Sequence, residues 1–147
     1  MAISGGCCVE VCSKEDGFLG SYYKARLLGK VSKDKYLVEF LTLVSEEDEK
    51  LKLREVVDAA EVRPCPPAIK VAEFNVLDKV DAYDRDGWWV GRVTGREFGE
   101  DKYSVYFESS GDEFVYSGYL LRVHQEWENG VWVTSNVRSR QRTRLIN

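Results

Sequence analysis

The sequence predicts an all-β protein built as two small barrels in tandem, packed side by side. Three observations carry that prediction: an internal repeat, short strands of alternating pattern, and a proline cluster between the two copies. The segment Tyr22-Tyr23-Lys24-Ala25-Arg26-Leu27, followed by Lys35-Tyr36-Leu37-Val38-Glu39-Phe40, returns as Trp88-Trp89-Val90-Gly91-Arg92-Val93, followed by Lys102-Tyr103-Ser104-Val105-Tyr106-Phe107. A strand opener precedes each copy (Val9-Glu10-Val11, then Val80-Asp81-Ala82), and a second landmark closes it (Glu61-Val62-Arg63, then Leu121-Arg122-Val123). Units of about 60 residues exceed the usual solenoid period, so the repeat reads as two domains rather than a stacked array.

Each element follows from local pattern. Residues 35–43 and 102–107 alternate apolar and polar side chains, and Glu15-Asp16-Gly17, Asp84-Arg85-Asp86-Gly87 and Ser109-Ser110-Gly111-Asp112 are turn signals between runs. Helical periodicity is weak, the best candidate being residues 46–58, where Leu51 and Glu55 share a helical face; a further turn of helix is expected after Gly118. Glu126–Val133 reads as a hairpin around Asn129-Gly130. All three prolines fall in Arg63-Pro64-Cys65-Pro66-Pro67, a stiff extended connector. These signals place the first barrel at 4–66, the second at 67–133 and an Arg-rich tail at 134–147.

Composition narrows the function. Cys7, Cys8, Cys12 and Cys65 lack the spacing of a disulfide framework or a zinc site, so reduced thiols are expected, with no metal and no cofactor. No signal-like or membrane-length apolar run is present, and the expected location is the cytosol or nucleus. Net charge is -4, yet the last ten residues hold Arg138, Arg140, Arg142 and Arg144 and no acid, leaving 17 basic against 25 acidic side chains elsewhere. An acidic body repels nucleic-acid phosphates and attracts a basic polypeptide. His124, the single histidine, has no nucleophile elbow, phosphate loop or metal-ligand partner, so no enzyme is expected.

The order of an aromatic-ended strand, an Asp/Gly turn, an aromatic pair, a small residue, a basic residue and Lys-Tyr-x-Val-x-Phe resembles the Tudor-like royal barrel. The paired copies, the closures at Arg63-Pro64 and Arg122-Val123-His124, and the trailing Glu126-Trp127-x-x-Gly130-x-Trp132 resemble the plant tandem Agenet family, over residues 5–133. Within that family the chain is most like heterochromatin readers of histone H3 dimethylated on lysine 9. The resemblance implies a nuclear, silencing-associated reader whose partners are the methylated H3 tail and nucleosomes.

A methylated ammonium is held by aromatic faces, each contributing about 0.5–2 kcal/mol. The Tudor-like pattern places such a cage at Tyr83, Trp89 and Phe107 of the second barrel, with Asp112 as the carboxylate that accepts the remaining N–H of dimethyl-lysine. Trp88, Asp86, Glu108 and Glu113 are further cage or rim candidates, Trp88 because a one-residue slip exchanges it with Trp89. In the first barrel Val9, Val11, Tyr23 and Phe40 align with Val80, Ala82, Trp89 and Phe107, but Cys12 stands where Tyr83 would be, and one cage wall is missing. Its acidic run Glu46-Glu47-Asp48-Glu49 suits the basic residues of a tail instead. The alternative is a non-enzymatic scaffold or RNA-associated adaptor that uses the arginine tail.

Overall fold

The computed structural model describes residues 6–15, 17–97 and 99–135; the arginines at 138, 140, 142 and 144 lie outside them. The chain divides into two compact units, residues 1–65 with 85–88 and residues 66–84 with 89–147. All regular elements among the described residues are strands, apart from two three-residue 3-10 turns.

The first unit contains β1 (Cys8–Val11), β2 (Ser21–Ser32), β3 (Lys35–Val44), β4 (Lys52–Asp58) and β5 (Val62–Pro64), with a 3-10 turn at Ala59–Glu61. They pair antiparallel in the order β5-β1-β2-β3-β4. The second unit contains β6 (Lys79–Asp84), most of β7 (Gly87–Glu97), β8 (Lys102–Tyr106), β9 (Glu113–Ser117) and β10 (Leu121–Val123), with a 3-10 turn at Gly118–Leu120, in the order β10-β6-β7-β8-β9. The repeat in sequence is therefore a repeat in topology. Its long strands bend at the same place: pairing shifts between Leu27 and Gly29 in β2 and between Val93 and Gly95 in β7, positions that match in the repeat. A bulge at a glycine lets a long strand curl around a small core.

Residues 46–58 are not helical. After a turn, Lys52–Asp58 pairs along β3, with Leu37 opposite Val56 and Tyr36 opposite Val57. The ladder supplies every second backbone group with a partner, and the β-branched pair Val56-Val57 fits a pleated surface better than a helix. The terminal hairpin forms as its Asn-Gly pair dictates: β11 (Glu126–Glu128) and β12 (Val131–Val133) flank Asn129 and Gly130, both at positive φ (51° and 79°). Trp127 faces Trp132 across it, ring centres 5.0 Å apart.

Alternation places Val9, Val11, Tyr23, Ala25, Leu27, Val38 and Phe40 in the first core, and Val80, Ala82, Trp89, Val93, Tyr103, Val105 and Phe107 in the second. Each unit is closed by a cross-strand ion pair whose carboxylate is buried. In the first, Glu10 on β1 lies opposite Arg63 on β5, with Nη2 2.7 Å from Oε1, and the guanidinium covers the Tyr22 ring at 3.6 Å. In the second, Asp81 on β6 is fully buried opposite Arg122 on β10, accepting from its Nε at 2.8 Å. Asp81 also meets His124 Nδ1 at 2.6 Å, and His124 Nε2 lies 3.1 Å from Glu126 Oε2.

Removing Asp81 leaves the partly buried Arg122 and the buried His124 without their shared carboxylate. Asp81→Ala is expected to destabilise the chain by about 3–5 kcal/mol, read as a fall in urea midpoint. Burial disfavours the His124 imidazolium, but the carboxylates of Asp81 and Glu126 outweigh it and raise its pKa above the ordinary 6.5. The folded state then binds the proton more tightly than the unfolded chain. The resulting stability is complete below the unfolded pKa and is lost as pH rises through the folded one. Denaturant titrations from about pH 6 to about pH 9 should show this decline in the parent chain and not in His124→Gln.

Candidate peptide-binding site

In the second unit the β7 alternation is decisive. Trp89, Gly91 and Val93 form the buried row, whereas Trp88 and Val90 are half-buried between them. Trp89 is therefore the tryptophan that shares a face with Gly91. A side chain at Gly91 would meet Val105 Cγ1 at 2.5 Å, with Tyr106 O at 3.0 Å and Phe107 Cδ1 at 3.1 Å, so the Val105 side chain takes the space that a Cβ would need. Phe107 is 2% exposed and Trp89 7%, while Tyr83, at the end of β6, is half-buried.

Asp84, the last residue of β6, ties this corner together. Its carbonyl accepts from Trp89 Nε1 at 2.8 Å, and its Oδ2 accepts from the Tyr116 hydroxyl at 2.7 Å. Tyr116 in turn lies edge-on to Phe107, ring centres 6.0 Å apart, and Phe114 lies tilted to Phe107 at 6.4 Å. Phe114 is 48% exposed, so the ring cluster runs from the core to the surface. The sequence reading missed Asp84, Phe114 and Tyr116. The available signal was the β9 alternation, which sets Tyr116 opposite Tyr103 and Phe114 opposite Val105.

The other candidates lie apart from that network. Asp112 is exposed, and its carbonyl accepts from Phe107 N at 2.9 Å, so it fixes the turn that carries Phe107 through backbone rather than carboxylate. Glu113 Oε1 accepts from Thr94 Oγ1 at 3.1 Å. Glu108 is exposed beside a cleft of about 70 Å³ that it shares with Lys79, Arg92 and Tyr106. Asp86 is exposed at positive φ and belongs to the first unit, where its carbonyl accepts from Thr42 Oγ1 at 2.6 Å.

The first unit holds a larger opening, a cavity of about 520 Å³. Tyr23 and Phe40, the repeat counterparts of Trp89 and Phe107, line it together with Phe18 from the loop before β2. Phe18 stands edge-on to Tyr23 with ring centres 6.0 Å apart. Phe18 lies outside the aligned strands of the repeat. Of the acidic run, Glu46 lines the cavity; Glu47, Asp48 and Glu49 are exposed in the β3–β4 turn, where Asp48 Oδ1 accepts from Lys50 N. Carboxylates of Glu15, Glu55 and Glu61 complete an acidic lining. Burial, then the charges of Glu15, Glu61 and Glu46, raise the pKa of Glu55 above its ordinary 4.5.

Among the described residues no group of three or more His, Cys, Asp or Glu side chains is arranged to hold a metal ion, and no disulfide joins Cys7, Cys8, Cys12 or Cys65. The groups present are aromatic faces, carboxylates and fixed backbone polar groups, a set suited to a cationic side chain.

Comparison with known proteins agrees with this architecture. A family model described as Agenet domain matches residues 6–67. The chain is 38% identical over 130 residues to Protein AGENET DOMAIN (AGD)-CONTAINING P1 of Arabidopsis thaliana, covering 88% of this chain and 25% of that protein. It is 34% identical over 143 residues to DUF724 domain-containing protein 3 of Arabidopsis thaliana, covering 93% and 20%. The chain thus spans a quarter or less of the length of these two relatives. Among solved structures it superposes on Arabidopsis thaliana AGDP1 AGD34 with a TM-score of 0.83 at 35% identity, covering 90% of this chain and 89% of that one. It superposes on ADCP1 tandem Agenet domain 3-4 with a TM-score of 0.79 at 32% identity, covering 90% and 88%. With near-complete mutual coverage by tandem Agenet structures and the same repeat in sequence and topology, the chain belongs to the plant tandem Agenet family.

Proposed function

We propose that this chain is a chromatin reader that binds a methylated lysine of the histone H3 tail, dimethyl-lysine 9 above others, and acts in the nucleus in heterochromatin formation and silencing. The observation that carries the reading is the Asp84-centred corner of the second unit, where Trp89 and the Phe107–Tyr116 pair are held by hydrogen bonds to one residue. Tyr83 precedes that residue and is the accessible wall; Trp89 and Phe107 form the floor. A rigid aromatic corner spends little entropy on ordering itself, which matters when a flexible tail must be ordered as well. Family membership and the acidic body of the chain support a basic peptide as the partner. Carboxylates of the first unit, Glu46 to Glu49, hold basic residues elsewhere on the tail.

Calorimetric titration with H3 tail peptides bearing zero to three methyl groups on lysine 9, with a lysine 4 series as control, tests this directly. Affinity near 1 μM, or about -8 kcal/mol, is expected for dimethyl-lysine 9. Tyr83→Ala should weaken binding by about tenfold, equivalent to the loss of one cation–π face. Methyl-independent binding in both series would discard the cage, and binding that follows the arginine tail and collapses with salt would favour an RNA-associated adaptor. A second prediction concerns charge: reversing all four acids at 46–49 to lysine is expected to lower affinity at low salt by about tenfold, with a smaller difference at high salt.

A further inference from the structure

We infer that Cys8 and Cys65 form a redox-active cross-strand thiol pair, a modification site that closes to a disulfide in exchange with a small-molecule disulfide such as oxidised glutathione and locks the end of β5 onto β1. The inference is independent of what the chain binds.

Register brings the two thiols together. Along the β1–β5 ladder Val11 lies opposite Val62, Glu10 opposite Arg63 and Val9 opposite Pro64, so the next rung sets Cys8 opposite Cys65. The same rung forms in the second unit. Val80 lies opposite Val123 there, and one step further His124 N donates to Lys79 O at 3.2 Å. In the repeat, Lys79 and His124 hold the places of Cys8 and Cys65. Strand alternation puts Cys8 on the face of Glu10 and Cys65 on the face of Arg63, the two members of one ion pair, so both thiols project from the same side of the sheet. Directly opposed residues of an antiparallel ladder have Cα atoms about 4.5–5.5 Å apart, inside the span of about 4.4–6.8 Å that a disulfide bridges.

The same geometry excludes the other two thiols. Consecutive Cα atoms are about 3.8 Å apart, too close for a bridge between Cys7 and Cys8, and alternation turns Cys7 to the face opposite Cys8. Cys12 N donates to Glu61 O at 2.8 Å, so Cys12 stands four residues from the rung of Cys65, about 13 Å along the strands.

Cys8 is exposed and Cys65 half-buried, so a dissolved disulfide reaches Cys8 first. The Cys8 thiolate attacks one sulfur of oxidised glutathione, forming a mixed disulfide and releasing one glutathione thiolate. The Cys65 thiolate then attacks the Cys8 sulfur and the second glutathione leaves. The two protons given up by the protein thiols pass to the two glutathione thiolates, the protein loses two electrons, and the bond formed joins Cys8 to Cys65. In a reducing compartment the pair rests as the dithiol. Closure acts where the ladder is weakest. Pro66 and Pro67 follow Cys65 and bring no N–H, so backbone pairing cannot extend through that step. A covalent tie at this last rung stops fraying of a three-residue strand and, by cross-linking residues 8 and 65, restricts the unfolded chain.

The test equilibrates the whole chain in glutathione buffers of rising oxidised fraction, blocks the remaining thiols by alkylation and maps the linked peptides by mass. Oxidation should join Cys8 to Cys65 with loss of two hydrogens, raise Tm by about 5–10 °C and reverse on return to reduced glutathione. Cys8→Ser and Cys65→Ser should each lose this shift, while Cys7→Ser and Cys12→Ser retain it and assign the link to Cys8 in the peptide map. In Cys65→Ser a glutathione adduct should accumulate on Cys8, since the thiol that resolves it is gone. Where a serine variant does not fold, the peptide map of the parent chain decides. An adduct that persists on Cys8 in the parent, a link made through Cys7 or Cys12, or a Tm that oxidation leaves unchanged would each overturn the inference.

Discussion

The pairing of a buried carboxylate with an arginine that closes each unit is the constraint on which the other features depend. The closing strands β5 and β10 are three residues long, too short for backbone hydrogen bonds alone to hold them against fraying. Opposed Glu10–Arg63 and Asp81–Arg122 pairs add directional contacts in a setting where a mismatch leaves a charge without a partner. Such a pair is costly to desolvate, so its value lies in register: a strand slipped by one residue loses the pair and turns its apolar face outward. The same pair fixes the path of β6, and hence where Tyr83 and Asp84 leave it.

The two units apply one plan to different ends. In the second, the space beside Gly91 is taken by Val105, and the corner is filled with rings secured through Asp84. In the first, Ala25 stands where Gly91 would be, the aromatic wall comes from a loop, and a cavity remains open with carboxylates around it. A duplicated fold diverges readily in this way, because the closing pairs and strand bends carry its stability while the loops between strands carry its contacts. His124 shows how far the closing network extends in the second unit: its ring lies between Asp81 and Glu126, and so joins β6 to the start of the terminal hairpin.

Acidity has a consistent role in this arrangement. Outside the arginine tail the sequence is strongly acidic, and part of that charge is concentrated at the first unit's opening rather than spread over the surface. Burial and the neighbouring carboxylates raise the proton affinity of Glu55 there. That arrangement costs stability unless a cation offsets it.

By itself the sequence determined the all-β class, the duplication and the Asn-Gly hairpin, because all of these are written in local periodicity and in residues with narrow conformational preferences. The strand at 52–58 was not legible, since short apolar spacing reads equally as helix or strand until a neighbouring edge offers a ladder. The corner at Asp84 and the ring of Phe18 were decided only by tertiary structure. Asp84 acts through a carbonyl and a carboxylate that reach residues 5 and 32 positions away, and Phe18 lies in a loop outside the aligned strands. Linear pattern records which face a strand residue takes, but a pocket is assembled from loops and turns whose positions are fixed by the closure of the barrel.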